Sequence, residues 1–366
     1  MAIGDLLHQT PVTTPDPYTG CPVTRLTPPD HTSHHMYFYN RMVTSDSSRL
    51  LYCAEINGRR NLYLMELATG DAVQLTEGDA LDDYGAMISA DDKSVYYQQD
   101  RKVWKLDLAT LQRTCLYAAP DGWDCGNWGM SDDNRYLVMT ETRRDTLPDL
   151  TGKKGWEFFP LTCAAKPLCH IVYLDTQTGE HHIVVEDRCW FGHAQLRPGD
   201  PDTILFCHEG PYDMIDARLW LIQSDGSRYR CARPQPKDVI ITHEFWMPTG
   251  DRLAYVYRKA DDGSTETIRM MRPETLEEEL FMPCLPYAHF ICDRQRRWFV
   301  GDCQGQETPI HLQTGEGRGQ EVRNDFIYLV DIARKKEIPL CYHGTSWTTI
   351  HGTPQDAHPH PCFTPD

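Results

Sequence analysis

The sequence lacks the segments that direct a chain into or through a membrane. Its first 20 residues, MAIGDLLHQTPVTTPDPYTG, contain no basic region followed by an apolar stretch, so they do not have the pattern of a secretory signal peptide. No apolar run approaches the length of about 20 residues that a helix needs to cross a bilayer. We therefore predict a cytoplasmic protein without a membrane partner.

Cysteine pairs and basic runs are also missing. The 14 cysteines include no Cys-x-x-Cys pair, and scattered cysteines without an export signal are expected to be free thiols in a reducing compartment. Acidic residues outnumber basic ones by 53 to 36, and no dense Lys/Arg run occurs. Because a nucleic-acid-binding protein usually carries a basic patch, we predict no nucleic-acid partner. An acidic ligand would require a local cationic site.

The chain does contain a repeated unit of short strands and turns. Residues 44–76 predict three successive strands, at 50–54, 62–66 and 72–76, separated by turns. The same unit returns at residues 89–117, 131–141 with 170–186, 197–210 with 218–232, 247–259 with 266–281, and 292–303 with 325–340. We interpret the longer gaps, at about 142–169 and 301–324, as insertions. Repeats of roughly 40–50 residues built from short strands are typical of β-propeller blades. A sandwich of irregular strands is the alternative, which the recurrence of the whole unit disfavours.

The repeat register predicts the number of blades. Acidic turn residues mark the copies at Asp46, Asp92, Asp133, Asp200, Asp251, Asp293 and Asp366. The segment CPVTRLT at residues 21–27 resembles the third strand of a copy but has no preceding strands, so we expect it to close the last blade. The predicted fold is an all-β, seven-bladed propeller in a single domain, residues 1–366. Residues 1–20 are interpreted as an N-terminal extension, and the last blade as truncated at the C-terminus.

Three candidate metal ligands lie close together near the end of the chain. Gln355, His358 and His360 fall within the run QDAHPHPCFTPD. The interleaved prolines exclude a helix. In an extended chain, residues two apart face the same side, so the two histidines can face one point. Imidazole nitrogens with an amide oxygen suit a divalent ion such as Mn, Fe, Ni or Zn.

Histidines recur beside the first predicted strand of successive copies. The further members of this set are His34, His193, His208, His243 and His289. One such histidine is more often a structural residue than a ligand, but repetition at equivalent blade positions favours a shared site at the mouth of the channel. Arg41 and Arg218 add cationic groups suited to carboxylates.

Several of these segments resemble oligogalacturonate lyases. They are CHEGPYDMIDARLWLI, ITHEFWMP, HPHPCFTPD, VTRLTPPDHTSHHMYFYN and HGTSW, and the similarity runs from about residue 10 to residue 366. The resemblance implies a seven-bladed propeller that binds Mn²⁺ through His289, Gln355, His358 and His360. It also implies His243 as the catalytic base and Arg218 as the catalytic arginine. We expect His34, Arg41, His193 and His208 to bind the substrate.

The implied activity is a metal-dependent β-elimination. The substrate would be an acidic oligosaccharide, a short oligogalacturonide that includes already unsaturated forms, and the product would be of the 4-deoxy-5-ketouronate type. A uronate suits this chemistry because its carboxylate makes the C5–H acidic, opposite a C4–O leaving group. A non-catalytic TolB-like propeller that binds a protein partner and a metal-dependent glycoside hydrolase are the alternatives. The sequence does not determine the oligomeric state.

Overall fold

The computed structural model describes residues 2–153, 155–260, 266–303, 310–313, 319–344 and 359–366, with residues 310–313 and 319–322 described by their backbone. The chain divides into two compact units. One comprises Met1–Glu77 with Met282–Asp366, and the other comprises Gly78–Phe281. No helix among the described residues is long and apolar enough to span a membrane.

The first unit begins with one hairpin and one five-stranded antiparallel sheet. In chain order its strands are β1 (Leu6–Leu7), β2 (Val12–Pro15), β3 (Pro22–Arg25), β4 (Ser33–His35), β5 (Arg49–Ile56), β6 (Arg59–Glu66) and β7 (Ala72–Gln74). The sheet has the order β1-β7-β6-β5-β4, while β2 and β3 pair with each other. Asn57 and Gly58 join β5 to β6 with φ of 54° and 72°. This is the type I′ geometry that an Asn-Gly pair favours between two strands.

The described residues of the second unit form four four-stranded antiparallel sheets and one α-helix. The strands of its first two sheets are β8 (Met87–Ile88), β9 (Ser94–Gln99), β10 (Lys102–Asp107), β11 (Arg113–Ala118), β12 (Trp123–Met130), β13 (Tyr136–Arg143), β14 (Leu168–Asp175) and β15 (His181–Arg188). The helix, α1 (Phe158–Ala165), lies in the insertion between β13 and β14. The strands of the other two sheets are β16 (Phe191–Arg197), β17 (Asp200–His208), β18 (Leu219–Gln223), β19 (Arg230–Cys231), β20 (Val239–Trp246), β21 (Leu253–Lys259), β22 (Thr267–Met271) and β23 (Glu278–Pro283).

Consecutive sheets of this unit pack face to face. Val138 and Ile171 of one sheet share a buried cluster with Phe191 and Phe206 of the next. A second buried cluster joins that sheet to the last one, where Tyr255 is fully buried. Each fully buried large apolar side chain contributes about 1.5–3 kcal/mol. The hydrophobic core therefore lies between stacked sheets, as expected for propeller blades.

The chain then completes the first unit. Its remaining strands are β24 (Tyr287–Cys292), β25 (Trp298–Cys303), β26 (Ile310–Gln313), β27 (Gly319–Val322), β28 (Phe326–Asp331) and β29 (Lys336–Tyr342). Four of them form a sheet of order β24-β25-β28-β29, and β26 pairs with β27 within the predicted insertion. The N-terminal segment docks on this sheet. Asp16 Oδ2 accepts a hydrogen bond from the backbone N–H of Tyr342 at 2.7 Å.

A recurring Ser/Thr-x-Asp turn explains the periodic acidic residues. In four sheets the hydroxyl donates to the aspartate two positions later: Thr44 to Asp46 at 2.7 Å, and Ser89 to Asp91, Ser131 to Asp133 and Thr249 to Asp251 at 2.6 Å each. The aspartate that caps the second turn is thus Asp91 and not its predicted neighbour Asp92. These turns lead into the second strand of each of these four sheets, which confirms the repeat and its all-β, propeller-type architecture.

The prediction for the last blade was wrong in two respects. Segment 21–27 contributes β3, which pairs with β2 as a local hairpin, Val12 opposite Arg25. Residues 362–366 form no strand, and the described part of the chain contains six blade-type sheets instead of seven. Alternating polar and apolar residues fit a blade edge or a free hairpin equally well. The turn between β2 and β3 selects the hairpin, because it is closed by local hydrogen bonds. The Asp16 N–H donates to the Cys21 carbonyl at 2.7 Å, and the Gly20 N–H donates to the Asp16 carbonyl at 2.9 Å.

Candidate active site

Two of the predicted metal ligands meet in the first unit. His289 lies in β24, His360 lies beyond the last described strand, and their ring centroids are 4.1 Å apart. Both are buried, at 7% and 3% exposure. Tyr37 and Phe38 cover them, with ring centroids 5.2 Å from His360 and 5.3 Å from His289, respectively.

A buried aspartate holds both ligands. Asp302 of β25 is 1% exposed, and its Oδ1 accepts the backbone N–H of His289 at 2.5 Å. Its Oδ2 lies 3.3 Å from Nδ1 of His289 and accepts the backbone N–H of His360 at 3.4 Å. A carboxylate on one ring nitrogen orients the imidazole and favours metal binding through the other. Two buried imidazoles, one of them oriented by a carboxylate, fit a borderline divalent cation.

The remainder of the predicted ligand set is Gln355 and His358, which lie outside the described residues. The expectation of a uniformly extended run was wrong at His360, whose φ is 50°. Alternating prolines exclude a helix, but they permit a left-handed residue between them. With this conformation the chain leaves the extended path at His360, and the His360 ring lies against His289.

Two predicted substrate-binding residues also lie in the first unit. His34 belongs to β4, is half-buried, and has its Nδ1 3.1 Å from the carbonyl oxygen of His35. Arg41 lines a cavity of about 190 Å³ together with Arg294 and the aromatic rings of Phe38 and Phe363. Phe38 therefore contacts His289 and lines this cavity. The roles of His34 and Arg41 stay predictions.

In the second unit, Arg218 is held by two carboxylates. Its Nε and Nη2 donate to Glu244 at 2.7 and 3.1 Å, and its Nη1 donates to Glu209 at 3.2 Å. Arg218, Glu209 and Glu244 are 8%, 8% and 3% exposed. The guanidinium has five N–H donors, and three are used within the described part of the chain. Two remain for a ligand carboxylate.

The charges in this cluster shift one another's protonation equilibria. Burial alone would raise the pKa of Glu209 and Glu244, but the Arg218 guanidinium, together with the other charged and hydrogen-bonding neighbours of each carboxylate, outweighs burial and lowers both. Burial would likewise lower the pKa of Arg218, and its anionic neighbours, the two carboxylates among them, raise it well above the usual value. Both carboxylates are therefore ionised at neutral pH. Breaking such a buried pair costs about 3–5 kcal/mol.

Strand bulges aim two histidines of this unit. The pairing register shifts between Gly192 and Gln195 of β16 and between Thr242 and Phe245 of β20. His193 and His243 lie inside these bulges, with φ of 50° and 58°. A bulge interrupts the alternation of a strand and turns a side chain in a new direction. His193 Nε2 lies 3.0 Å from Glu209 Oε1, so the bulge in β16 joins His193 to the Arg218 cluster.

His208 has a different environment. Its ring stacks on Trp220 at 4.4 Å, its Nδ1 is 2.9 Å from Asp216 and its Nε2 is 3.3 Å from the Tyr229 hydroxyl. The side chain is 5% exposed. In this conformation both ring nitrogens are engaged by the protein. The predicted substrate contact of His208 would require it to exchange one of these partners.

The burial of His208 predicts a pH-dependent stability. Burial lowers the pKa of His208 below 6.5, against the opposing effect of Asp216. The unfolded chain therefore binds the proton more readily than the folded protein. The contribution of neutral, buried His208 to the free energy of unfolding is complete above pH 6.5 and is lost as the pH falls through the folded-state pKa. Each unit of pKa depression corresponds to about 1.4 kcal/mol.

We expect His208→Gln to reduce the loss of unfolding free energy between about pH 7.5 and about pH 5.5, measured by urea denaturation. The matched control is His181→Gln, which changes an exposed histidine of β15. An identical pH slope in wild type and His208→Gln would contradict this assignment.

Sequence reasoning missed Glu209, Glu244 and Asp302. A signal for the first two was present, because His-Glu pairs occur at 208–209 and at 243–244 in consecutive copies. Asp302 had no comparable signal. It is one aspartate in a strand, and only the pairing of β24 with β25 places it opposite His289.

Comparison with known proteins identifies the family. The family model described as oligogalacturonate lyase matches residues 1–366. The oligogalacturonide lyase of Pectobacterium atrosepticum is 36% identical over 369 residues, and the oligogalacturonate lyase of Dickeya dadantii is 38% identical over 371 residues. Each match covers 100% of this chain and 93% of the relative. A solved structure, an oligogalacturonate lyase in complex with manganese, has a TM-score of 0.90 at 36% identity, with the same coverage of both chains. The chain therefore belongs to the oligogalacturonate lyase family, as the resemblance of its motifs predicted.

Proposed function

We propose that this protein is a metal-dependent lyase that cleaves short oligogalacturonides by β-elimination. The observation that carries the proposal is the buried pair of imidazoles, His289 and His360, supported by Asp302 in a chain of this family. The names of the relatives support the substrate class, and the manganese complex of a relative supports the metal. The product would be of the 4-deoxy-5-ketouronate type after ring opening.

The metal would be held by His289 and His360, with Gln355 and His358 completing the predicted set. When bound, Mn²⁺ would supply Lewis acidity toward the C5 carboxylate of a uronate. Asp302 keeps the two imidazole ligands in place. Because the ligands are buried beneath Tyr37 and Phe38, the protein also limits the access of water to this point.

The protein's own groups would manage the proton and the developing charge. His243, in its neutral form, would accept the C5 proton near physiological pH. Arg218 would use its two remaining N–H donors to stabilise negative charge on the substrate. Because Glu244 fixes the guanidinium at two points, Arg218 needs no rearrangement during the reaction. No nucleophilic serine or cysteine is required.

Three further predictions complete the proposal. We infer a cytoplasmic location, supported by free thiols at Cys169, Cys189 and Cys207 within one unit. The continuity of the repeat along the sequence supports a single domain over residues 1–366. His34, Arg41, His193 and His208 are proposed to contact the acidic substrate.

Mass spectrometry of the products tests the reaction type. Purified protein with Mn²⁺ and trigalacturonate should yield fragments whose summed mass equals that of the substrate, together with the ultraviolet absorbance of a conjugated enoate. A carbonyl assay detects a product that has already rearranged. Hydrolysis would add one water to the summed mass, and a TolB-like binding protein would give no product. Either result would reject the proposal.

A further inference from the structure

A group of metal-type side chains lies at the end of the β16–β17 pair in the second unit. His193, Cys207 and Glu209 offer a nitrogen, a sulfur and an oxygen that all lie within 4.8 Å of one another. His193 Nε2 lies 3.0 Å from Glu209 Oε1, and the Cys207 thiol donates to the same oxygen at 3.2 Å. Imidazole, thiolate and carboxylate are the ligand types that zinc takes in proteins. The three side chains therefore have the composition of a zinc site.

We propose that His193, Cys207 and Glu209 bind a thiophilic divalent cation such as Zn²⁺, and that an ion bound there inhibits the enzyme. The ligand atoms would be His193 Nε2, Cys207 Sγ and Glu209 Oε1, with water in the fourth position. The site uses the imidazole nitrogen that already faces Glu209 and makes no demand on the other one. The binding is independent of the proposed function, whereas the inhibition rests on it.

Strand pairing brings the three donors together. Cys207 of β17 pairs with Gly192 of β16, and His193 follows Gly192 inside the bulge. The Glu209 N–H donates to the Trp190 carbonyl at 2.8 Å, so the chain is still extended as it leaves β17. Residues two apart in an extended chain face the same side, which directs Cys207 and Glu209 to one point. The backbone of two paired strands therefore fixes the site.

The distances admit an ion after a small adjustment. Tetrahedral zinc bonds of about 2.0–2.3 Å correspond to donor separations of about 3.3–3.7 Å. The two contacts to Glu209 Oε1 are 3.0 and 3.2 Å, so each has to lengthen by about 0.4 Å. A Cβ at Gly192 would lie 2.5 Å from Glu209 Cγ, so glycine leaves the carboxylate its place. The His193 side chain is 20% exposed, and an ion can enter from that side.

The charges around the site favour a doubly charged ion. Arg218 is positive, and Glu209 and Glu244 are negative because the pKa of each carboxyl is lowered. Burial raises the pKa of the Cys207 thiol well above its usual value, so the thiol is neutral without a metal. A bound metal ion displaces the thiol proton, which is released to solvent. The thiolate adds a third negative charge, and a dication then makes the loaded cluster neutral. This avoids the cost of an uncompensated buried charge.

Cys207 also determines which cations fit. A thiolate is a soft ligand that suits zinc, whereas Mn²⁺ and Mg²⁺ suit oxygen ligands. The ligand set proposed for the first unit contains no cysteine. We therefore expect the two sites to take different ions when Mn²⁺ and Zn²⁺ are both present.

An ion at this site would interfere with the proposed chemistry. It would hold His193, which is a proposed substrate contact. It would also share Glu209 with Arg218, the proposed catalytic arginine, whose Nη1 donates to Glu209 Oε2 at 3.2 Å. Zn²⁺ should therefore lower the rate of elimination without displacing the metal of the first unit.

Cobalt substitution tests the site in the absence of substrate. Co²⁺ bound to a thiolate shows an intense charge-transfer band in the near ultraviolet. We expect this band in wild type and in His289→Ala, and stoichiometric Zn²⁺ should abolish it. Cys207→Ser should lose the band, because no thiolate remains at the site. Cys169→Ser is the matched control, since Cys169 is also 0% exposed and lies 3.4 Å from the Thr142 hydroxyl. It should keep the band.

A second variant makes the test independent of the folding of Cys207→Ser, which thermal unfolding checks. His193→Asn keeps a residue that tolerates the left-handed backbone of the bulge. It should weaken Zn²⁺ binding, measured by calorimetry, by more than about 100-fold, because even the partners of metal ligands contribute 10–100-fold. The proposal is overturned by a wild-type protein without the cobalt band, by a band that survives in Cys207→Ser, or by an unchanged Zn²⁺ affinity in His193→Asn.

Inhibition is measured on the Mn²⁺-loaded protein with trigalacturonate, each variant being compared with its own rate without zinc. Zn²⁺ should inhibit wild type, and Cys207→Ser should need at least about tenfold more Zn²⁺ for the same fractional loss. Equal zinc sensitivity of the two proteins would overturn the inhibitory role. A cobalt band in a protein that gives no elimination product would reject the proposed function and leave the metal site standing.

Discussion

Replacing His289 by alanine is expected to abolish metal binding and most of the activity. The ring is 7% exposed, lies 4.1 Å from the His360 ring and is held by Asp302. Mutation of groups that merely support a metal ligand typically costs 10–100-fold. Loss of the ligand itself should therefore lower kcat/KM by more than about 100-fold, and Asp302→Asn should fall within that smaller range. Elemental analysis of the purified variants measures the metal.

The matched control for this experiment is His8→Ala, which removes an exposed histidine of the same unit whose partner is Asp71. It should retain the metal and the activity of wild type. His360→Ala should behave like His289→Ala. If both ligand variants keep the metal at wild-type occupancy, the metal site has been assigned to the wrong residues.

His243→Asn is expected to lower kcat by about 10²–10⁴-fold while the metal content stays unchanged. His243 lies in the bulge of β20 with φ of 58°, a backbone conformation that asparagine also adopts. The substitution therefore removes the proton acceptor and leaves the bulge intact. The acidic limb of the kcat–pH profile should disappear in this variant, because the imidazole whose deprotonation would produce the rise in rate is absent.

The control for the base is His182→Asn, since His182 is an exposed residue of β15 whose Nε2 contacts the Ser224 carbonyl. Its kinetics should equal those of wild type. A rate for His243→Asn within tenfold of wild type would remove His243 as the base.

Much of the architecture could be predicted because its signals are local. The Asn57-Gly58 pair predicts the turn between β5 and β6, and the Ser/Thr-x-Asp motif recurs before the second strand of four sheets. Such signals depend on a few adjacent residues, so they are legible without knowledge of distant contacts. The hairpin at β2 and β3 was misplaced for the same reason. Its alternation is local, whereas the identity of its pairing partner is not.

The residues of the candidate site also fall into two groups, those identified by local motifs and those placed by contacts between distant parts of the chain. Motifs named His360, His243 and Arg218, because each lies in a short segment that resembles one family, and the same resemblance implied His289. The carboxylates that hold these side chains in place are brought to them by the tertiary structure. Asp302 reaches His289 through the register of β24 and β25. Arg218 is reached by Glu209, which directly follows β17, and by Glu244 of β20.

The sequence by itself determined the repeat, the fold class, the family and the histidines and arginine of the proposed chemistry. Only the tertiary structure decided which charges are buried together and where the bulges point His193 and His243. The physical reason is that side-chain type and local turn chemistry are properties of neighbours in the chain. Desolvation, charge balance and ring orientation are properties of neighbours in space, and residues such as His193, Glu209 and Glu244 become neighbours only when the sheets pack.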